Sequence, residues 1–84
     1  MISYSIKDLE KITGIKAHTI RIWEKRYGIV EPSRTQTNIR FYSDENLRHL
    51  MNVAILNKYG YKISNIQGMT TDEISKSVVE LTHQ

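Results

Sequence analysis

The first third of the chain places apolar residues at helical spacing in two stretches, which a tight turn separates. The first stretch predicts a helix over about residues 6–13, with Ser5 as its cap, Asp8 at its positive end and Gly14 as its stop. A second helical pattern begins near Ala17, so only three or four residues connect the two helices. This spacing is typical of a helix-turn-helix.

The second helix, with the sequence HTIRIWEKRYG over residues 18–28, divides into two faces when its residues are placed at steps of about 100°. One face holds Ile20, Trp23, Glu24 and Tyr27, and the opposite face holds His18, Arg21, Ile22, Lys25 and Arg26. The first face is mainly apolar or aromatic, so we expect it to pack against the rest of the protein. The second face is mainly cationic or ionisable, so we expect it to face water or a ligand. Gly28 is expected to end the helix.

The polar segment after this helix contains two short β-like pieces, Ile29–Glu31 and Ile39–Tyr42. They predict a β-hairpin, in which Pro32 limits the first strand to edge pairing. Arg34 lies near the predicted tip and Arg40 lies on the return strand.

The second half of the chain predicts three further helices. Ser43 caps a long third helix that reaches Gly60, along which helical spacing is kept by Leu47, Leu50, Met51, Ala54, Ile55 and Lys58. A brief fourth helix ends at Gly68, and Thr70 with Glu73 forms a capping box for a last helix that bears Ile74, Val78 and Leu81. The expected fold is therefore mainly α, a winged helix-turn-helix with a small two-stranded wing and additional C-terminal helices.

The composition narrows the possible functions. With 84 residues the chain is one small domain, near the lower size limit for a stable core. It has no cysteine and its three histidines are scattered, so we expect no disulfide, no metal site and no cofactor in this chain. No apolar run reaches the length of about 18 residues that spans a membrane, and the N-terminus does not resemble a signal peptide. We therefore expect a cytoplasmic protein.

Positive charge is concentrated in the first half of the chain. Residues 1–42 hold eight Lys or Arg and four Asp or Glu, whereas residues 43–84 hold four and five. This asymmetry indicates either an acidic polymer as partner or a charged face that is only solvated. The sequence contains no GxSxG motif, no glycine-rich phosphate loop and no paired carboxylates outside helix starts, so we expect no enzyme.

A resemblance to the DNA-binding domain of MerR-type transcriptional regulators covers the chain from Tyr4 to about Met69. The family pattern is a helix and turn, then T-L-R-x-aromatic-E, P-x-R, G-x-R-x-Y-S and a helix that begins with acidic residues. Its motif positions are matched by Thr19, Arg21, Trp23, Glu24, Pro32, Arg34, Arg40, Tyr42 and Ser43. Residues 18–28 are similar to the variant H-T-L-R-x-W-E-R-R-Y-G, found in regulators that often carry a cobalamin-binding region after this domain.

The resemblance implies a helix-turn-helix over about residues 5–28, a wing over 29–42 and supporting helices over 43–82. It implies a bacterial, nucleoid-associated protein that binds double-stranded promoter DNA, with its second helix in the major groove and its wing on the backbone or in the minor groove. The family's effector and dimerisation regions, and any cobalamin site, lie beyond this domain. We therefore expect residues 1–84 alone to be monomeric, and the full-length protein to be a homo-oligomer that meets RNA polymerase at the promoter.

The candidate DNA contacts come from the free helix face, the wing and the motif matches. They are Lys16, His18, Thr19, Arg21, Ile22, Lys25, Arg26, Arg34, Asn38, Arg40 and Tyr42. Two of them depart from the family pattern. Lys16 stands where a capping Ser is common, which removes the usual side-chain cap of the second helix and makes a phosphate contact available. Asn38 replaces the wing glycine and tolerates the same left-handed backbone.

Several of these side chains have a second interpretation. Arg21 either contacts DNA or pairs with Glu24 or Glu31. Ile22 is either incidentally exposed or contacts a thymine methyl group. Tyr42 either packs in the core or reaches a phosphate.

Two other functions remain open for the whole domain. One is an excisionase-like architectural DNA-binding protein, which shares the layout. The other is a basic module that binds an acidic protein.

Overall fold

The structure is a computed structural model and describes residues 3–83. These residues form five helices and one short hairpin. The elements are α1 (Ile6–Thr13), α2 (Ala17–Tyr27), β1 (Ser33–Arg34), β2 (Arg40–Phe41), α3 (Asp44–Lys58), α4 (Ile63–Gln67) and α5 (Thr71–Thr82). This architecture confirms the predicted mainly α, winged helix-turn-helix fold with additional C-terminal helices. Within the same residues no helix is both long enough and apolar enough to cross a membrane.

Short-range capping contacts set the starts of three helices. Each side chain at the N-cap accepts a hydrogen bond from a backbone N–H three residues on, and the side chain there accepts one in return. The three pairs are Ser5 with Asp8, Ser43 with Asn46, and Thr70 with Glu73. Gly14 and Gly28 end the first two helices in the left-handed conformation. The predicted bounds of α1 and α2 are therefore confirmed.

The hairpin is present, but the prediction of its first strand was wrong. β1 pairs antiparallel with β2, with Ser33 opposite Phe41 and Arg34 opposite Arg40, whereas Ile29–Glu31 is not a strand. The Ile29 N–H bonds back to the Trp23 carbonyl and closes the end of α2. Because its backbone completes the helix cap and its side chain is buried, the chain becomes free to pair only after Pro32.

The core lies on α3, which packs against α1, α4 and α5. Its buried residues are Leu47, Leu50, Val53 and Leu56. Of the residues at helical spacing along α3, Leu47 and Leu50 are buried and Met51 is 41% exposed, while Val53 and Leu56 complete the buried face. Apolar residues surround much of this helix, so periodicity alone does not identify the inward face.

The other helices each contribute a narrow stripe to the same core. Leu9 of α1, Ile20 and Trp23 of α2, Ile66 of α4 and Ile74 of α5 are buried there. This packing confirms the predicted inward face of α2, and its opposite face is therefore left exposed.

We expect Trp23→Ala to lower the free energy of unfolding by about 3–5 kcal/mol, because it removes a large buried side chain from a small core. Met51→Ala is the matched control: its side chain is exposed on α3, so a change within about 0.5 kcal/mol is expected. Urea unfolding followed by circular dichroism measures both. Equal losses in the two variants would contradict the assignment of faces.

Candidate nucleic-acid interface

The start of α2 is held by a carboxylate from the preceding helix. Lys16 occupies the N-cap and makes no side-chain capping bond. Instead the Ala17 N–H donates to Glu10 Oε2 at 2.7 Å, and Glu10 is a half-buried residue of α1. A negative charge at this end of a helix also complements its dipole. Glu10 thereby joins the two helices of the helix-turn-helix, and the Lys16 side chain stays exposed.

A hydrogen bond between Glu24 and the buried Tyr42, which follows β2, fixes the middle of α2 relative to the wing. The Tyr42 hydroxyl donates to Glu24 Oε2 at 2.7 Å, and Tyr42 is 0% exposed. Burial and, next, this bond to Glu24 raise the pKa of Tyr42 above its ordinary value. The packing interpretation of Tyr42 is therefore correct. Because its hydroxyl is already used inside the protein, we remove Tyr42 from the candidate DNA contacts.

The outward face of α2 is exposed and cationic. His18, Arg21, Ile22, Lys25 and Arg26 all lie on the surface, as the periodicity predicts. Within residues 3–83 the one ion pair is Arg48 with Asp44, at 3.9 Å. Arg21 therefore does not form the predicted alternative pair with Glu24 or Glu31, and its guanidinium is available to a ligand.

A concavity of about 850 Å³ lies between the start of α1, the outward face of α2 and the hairpin. Its lining includes the single carboxylate of Glu24. It also includes five cations, Lys7, Arg21, Lys25, Arg34 and Arg40. An excess of one charge in a concave surface focuses the electrostatic potential and attracts anions. We call this surface the basic concavity.

The structure brings seven of the predicted contacts to the basic concavity: His18, Arg21, Ile22, Lys25, Arg34, Asn38 and Arg40. Lys16, Thr19 and Arg26 lie outside it; Lys16 and Arg26 are exposed, and Thr19 is half-buried. Sequence reasoning missed Lys7, Ile6 and Ile39, which also line it. Their position depends on how α1 and the wing sit beside α2, which no local pattern encodes.

The hairpin places two like charges opposite each other. Arg34 and Arg40 are paired across β1 and β2, and directly opposed cations destabilise a two-stranded sheet. The Arg34 guanidinium also donates to Asn38 Oδ1 at 3.0 Å, where Asn38 adopts the expected left-handed backbone with φ 66°. An anion between the two arginines would relieve their repulsion, so the wing is suited to a phosphate.

Comparison with known sequences relates this chain to one family. The profile of the MerR HTH family regulatory proteins matches residues 4–73. The HTH-type transcriptional repressor CarH of Myxococcus xanthus is 34% identical over 62 residues, which are 74% of this chain. The matched part is only 21% of the length of CarH.

Two solved structures share the fold. HiNmlR, a MerR family regulator lacking the sensor domain and bound to promoter DNA, superposes with a TM-score of 0.70 at 23% identity, over 79% of this chain and 52% of its own. A MerR family transcriptional regulator from Bacillus cereus superposes with a TM-score of 0.72 at 15% identity, over 98% and 66% of the two chains. At these identities the likeness is one of fold.

We expect Glu10→Ala to lower the free energy of unfolding by about 1 kcal/mol, because α2 loses its only side-chain cap. Adding Lys16→Ser to this variant should restore most of the loss, since serine is a good N-cap residue. Lys16→Ser in the wild type should gain less, because Glu10 already serves that helix end. Thermal unfolding of the four proteins measures the effect, and an equal gain from serine in both backgrounds would contradict the capping role.

We expect Tyr42→Phe to lower the free energy of unfolding by about 1–3 kcal/mol at neutral pH, because the Glu24 carboxylate loses its buried donor. The pH dependence gives a second test. Since the folded state raises the pKa of Tyr42 above the ordinary value of about 10, its contribution is complete below that pH and is lost as the pH rises further.

Urea unfolding at about pH 7, 9 and 11 measures this difference. The wild type should lose more stability above pH 10 than Tyr42→Phe does. Tyr4→Phe is the control at neutral pH, because its hydroxyl donates to Asp44 at a more exposed position and a smaller loss is expected. Equal losses from the two substitutions would argue against a special role for Tyr42.

Proposed function

The chain belongs to the MerR family of helix-turn-helix regulatory proteins, and we propose that it binds double-stranded promoter DNA sequence-specifically, as the N-terminal domain of a transcriptional regulator. The observation that carries this proposal is the basic concavity, which brings together five cations and one carboxylate from α1, α2 and the wing. The likeness of the fold to a family member bound to promoter DNA supports it.

In this proposal α2 enters the major groove with its outward face toward the bases. That groove is about 12 Å wide and admits one α-helix. His18, Arg21, Ile22 and Lys25 then face base edges or the flanking phosphates. Arginine and lysine on this face supply most of the affinity, and only the side chains that reach base edges supply sequence preference.

The wing and the first helix contact the sugar-phosphate backbone at the sides of α2. Arg34 and Arg40 are placed to bind phosphate or to enter the minor groove. Lys7, at the start of α1, lines the same basic concavity. In this proposal the cations of α1 and of the wing bind the backbone beside α2, and these contacts fix the position of α2 in the groove.

We further propose that the full-length protein is a homo-oligomer that acts with RNA polymerase at its promoter. A single module has one recognition helix and one wing, which suits half of a two-fold site. The motif at residues 18–28 supports a place in the subgroup often linked to a cobalamin-binding region.

We expect binding to duplex DNA to weaken steeply with salt. Neutralising roughly four to six phosphates gives a slope on the order of −4 to −5 in a plot of log affinity against log salt concentration. Fluorescence anisotropy with a labelled mixed-sequence duplex at several salt concentrations measures the slope.

Arg21→Ala should weaken binding to a cognate site by about 1–3 kcal/mol if the guanidinium reads a base.

Lys76→Ala is the matched control, because Lys76 is an exposed cation on α5 that does not line the basic concavity. Its affinity should stay close to that of the wild type. A salt-independent affinity, or binding to an acidic protein in place of duplex DNA, would favour the protein-interaction module instead.

A further inference from the structure

An isoleucine lies in the middle of the cationic face of α2. Ile22 is 36% exposed, and it lies between His18 and Lys25, its neighbours four residues before and three residues after on the same face. It also lines the basic concavity, together with Ile39 at the wing, which is 63% exposed. Both side chains leave apolar surface in water on a concave surface whose charge attracts anions.

The charged phosphates of DNA make no favourable contact with an aliphatic side chain such as that of Ile22. Phosphates are hydrated anions and gain nothing from an aliphatic group. In the major groove, the apolar group that the bases present is the C5-methyl group of thymine, whereas guanine and cytosine present hydrogen-bonding atoms there. Isoleucine has no donor or acceptor, so it would displace water from those atoms without replacing their hydrogen bonds. A methyl group instead provides van der Waals contact and apolar burial.

We propose that Ile22 is a specificity-determining residue that selects a 5-methylpyrimidine at one position of the DNA site. The inference rests on the proposed function, because it needs α2 in the major groove. The cations around Ile22 provide affinity for any sequence, while Ile22 favours the base that carries the methyl group. Thymine and 5-methylcytosine share this chemistry, and the experiment separates them.

The experiment begins with a duplex that the wild-type domain selects from a random pool. Each thymine is replaced singly by deoxyuridine, which removes the methyl group and keeps the base pairing. At one position the wild type should bind the deoxyuridine duplex about three- to fivefold more weakly, the factor expected for one buried methyl group. Ile22→Ala should bind the two duplexes equally. Alanine is a good helix former at this exposed position, so the variant should fold like the wild type.

Two isoleucines provide matched controls. Ile39→Ala removes an exposed apolar side chain of the same concavity from the wing, and it should keep the preference for thymine over deoxyuridine. Ile12→Ala removes one that is 48% exposed on α1 and outside the concavity, and it should change neither the affinity nor this preference.

A further pair of duplexes tests the source of the methyl group. The same position is changed to cytosine paired with guanine, with and without a 5-methyl group. The wild type should bind the methylated duplex about three- to fivefold more tightly, and Ile22→Ala should not distinguish the two. A preference for thymine without one for 5-methylcytosine would overturn the wider claim for 5-methylpyrimidines.

The outcomes separate this inference from the proposed function. If the wild type enriches a duplex but no methyl group affects binding, or if Ile22→Ala keeps the methyl preference, the role of Ile22 is overturned and DNA binding stands. If the wild type enriches no duplex at all, both are overturned.

Discussion

The hydrogen bond from the buried Tyr42 hydroxyl to Glu24 is the contact on which the arrangement of α2 and the wing depends. Tyr42 directly follows β2 and precedes the cap of α3, and its backbone pairs with that of Tyr4 in both directions at 2.8 Å. One fully buried residue therefore joins α2, the wing, the start of α3 and the segment before α1. A polar bond in a desolvated site is costly to lose, so the position of the wing relative to α2 is set by the core.

A second polar contact sets the other end of α2. Glu10 supplies the capping acceptor that Lys16 cannot supply, and it does so from the neighbouring helix. A serine cap would serve α2 alone, whereas the Glu10 carboxylate also links α2 to α1. Because Lys16 stands in place of a capping serine, a cation lies at the helix start, on the surface that we propose to approach phosphates. The same pair of residues thus maintains the helix and adds positive charge at its exposed start.

Much of the fold could be predicted from the sequence because its signals are local. The capping boxes and the glycine stops act within a few residues, and the outward face of α2 follows from its periodicity. The remaining features depend on contacts between distant segments. The inward face of α3 depends on which helices pack against it. Ile29 does not join the predicted strand, because its N–H bonds to the Trp23 carbonyl at the end of α2. The place of Lys7 beside α2, and the loss of Tyr42 to the core, likewise follow only from the assembled helices.

The turn of the wing is largely self-contained, and this has a consequence for how such a domain can diversify. Thr35 bonds to Ile39, Asn38 and Thr37, while Asn38 also bonds to Arg34, so these hydrogen bonds close within the hairpin itself. The helices are fixed elsewhere, through Tyr42 and Glu10. The tip can therefore change in length or sequence while the scaffold keeps its shape. In the proposed role, a change at the tip would alter the contacts of the wing with DNA without altering the core that holds α2.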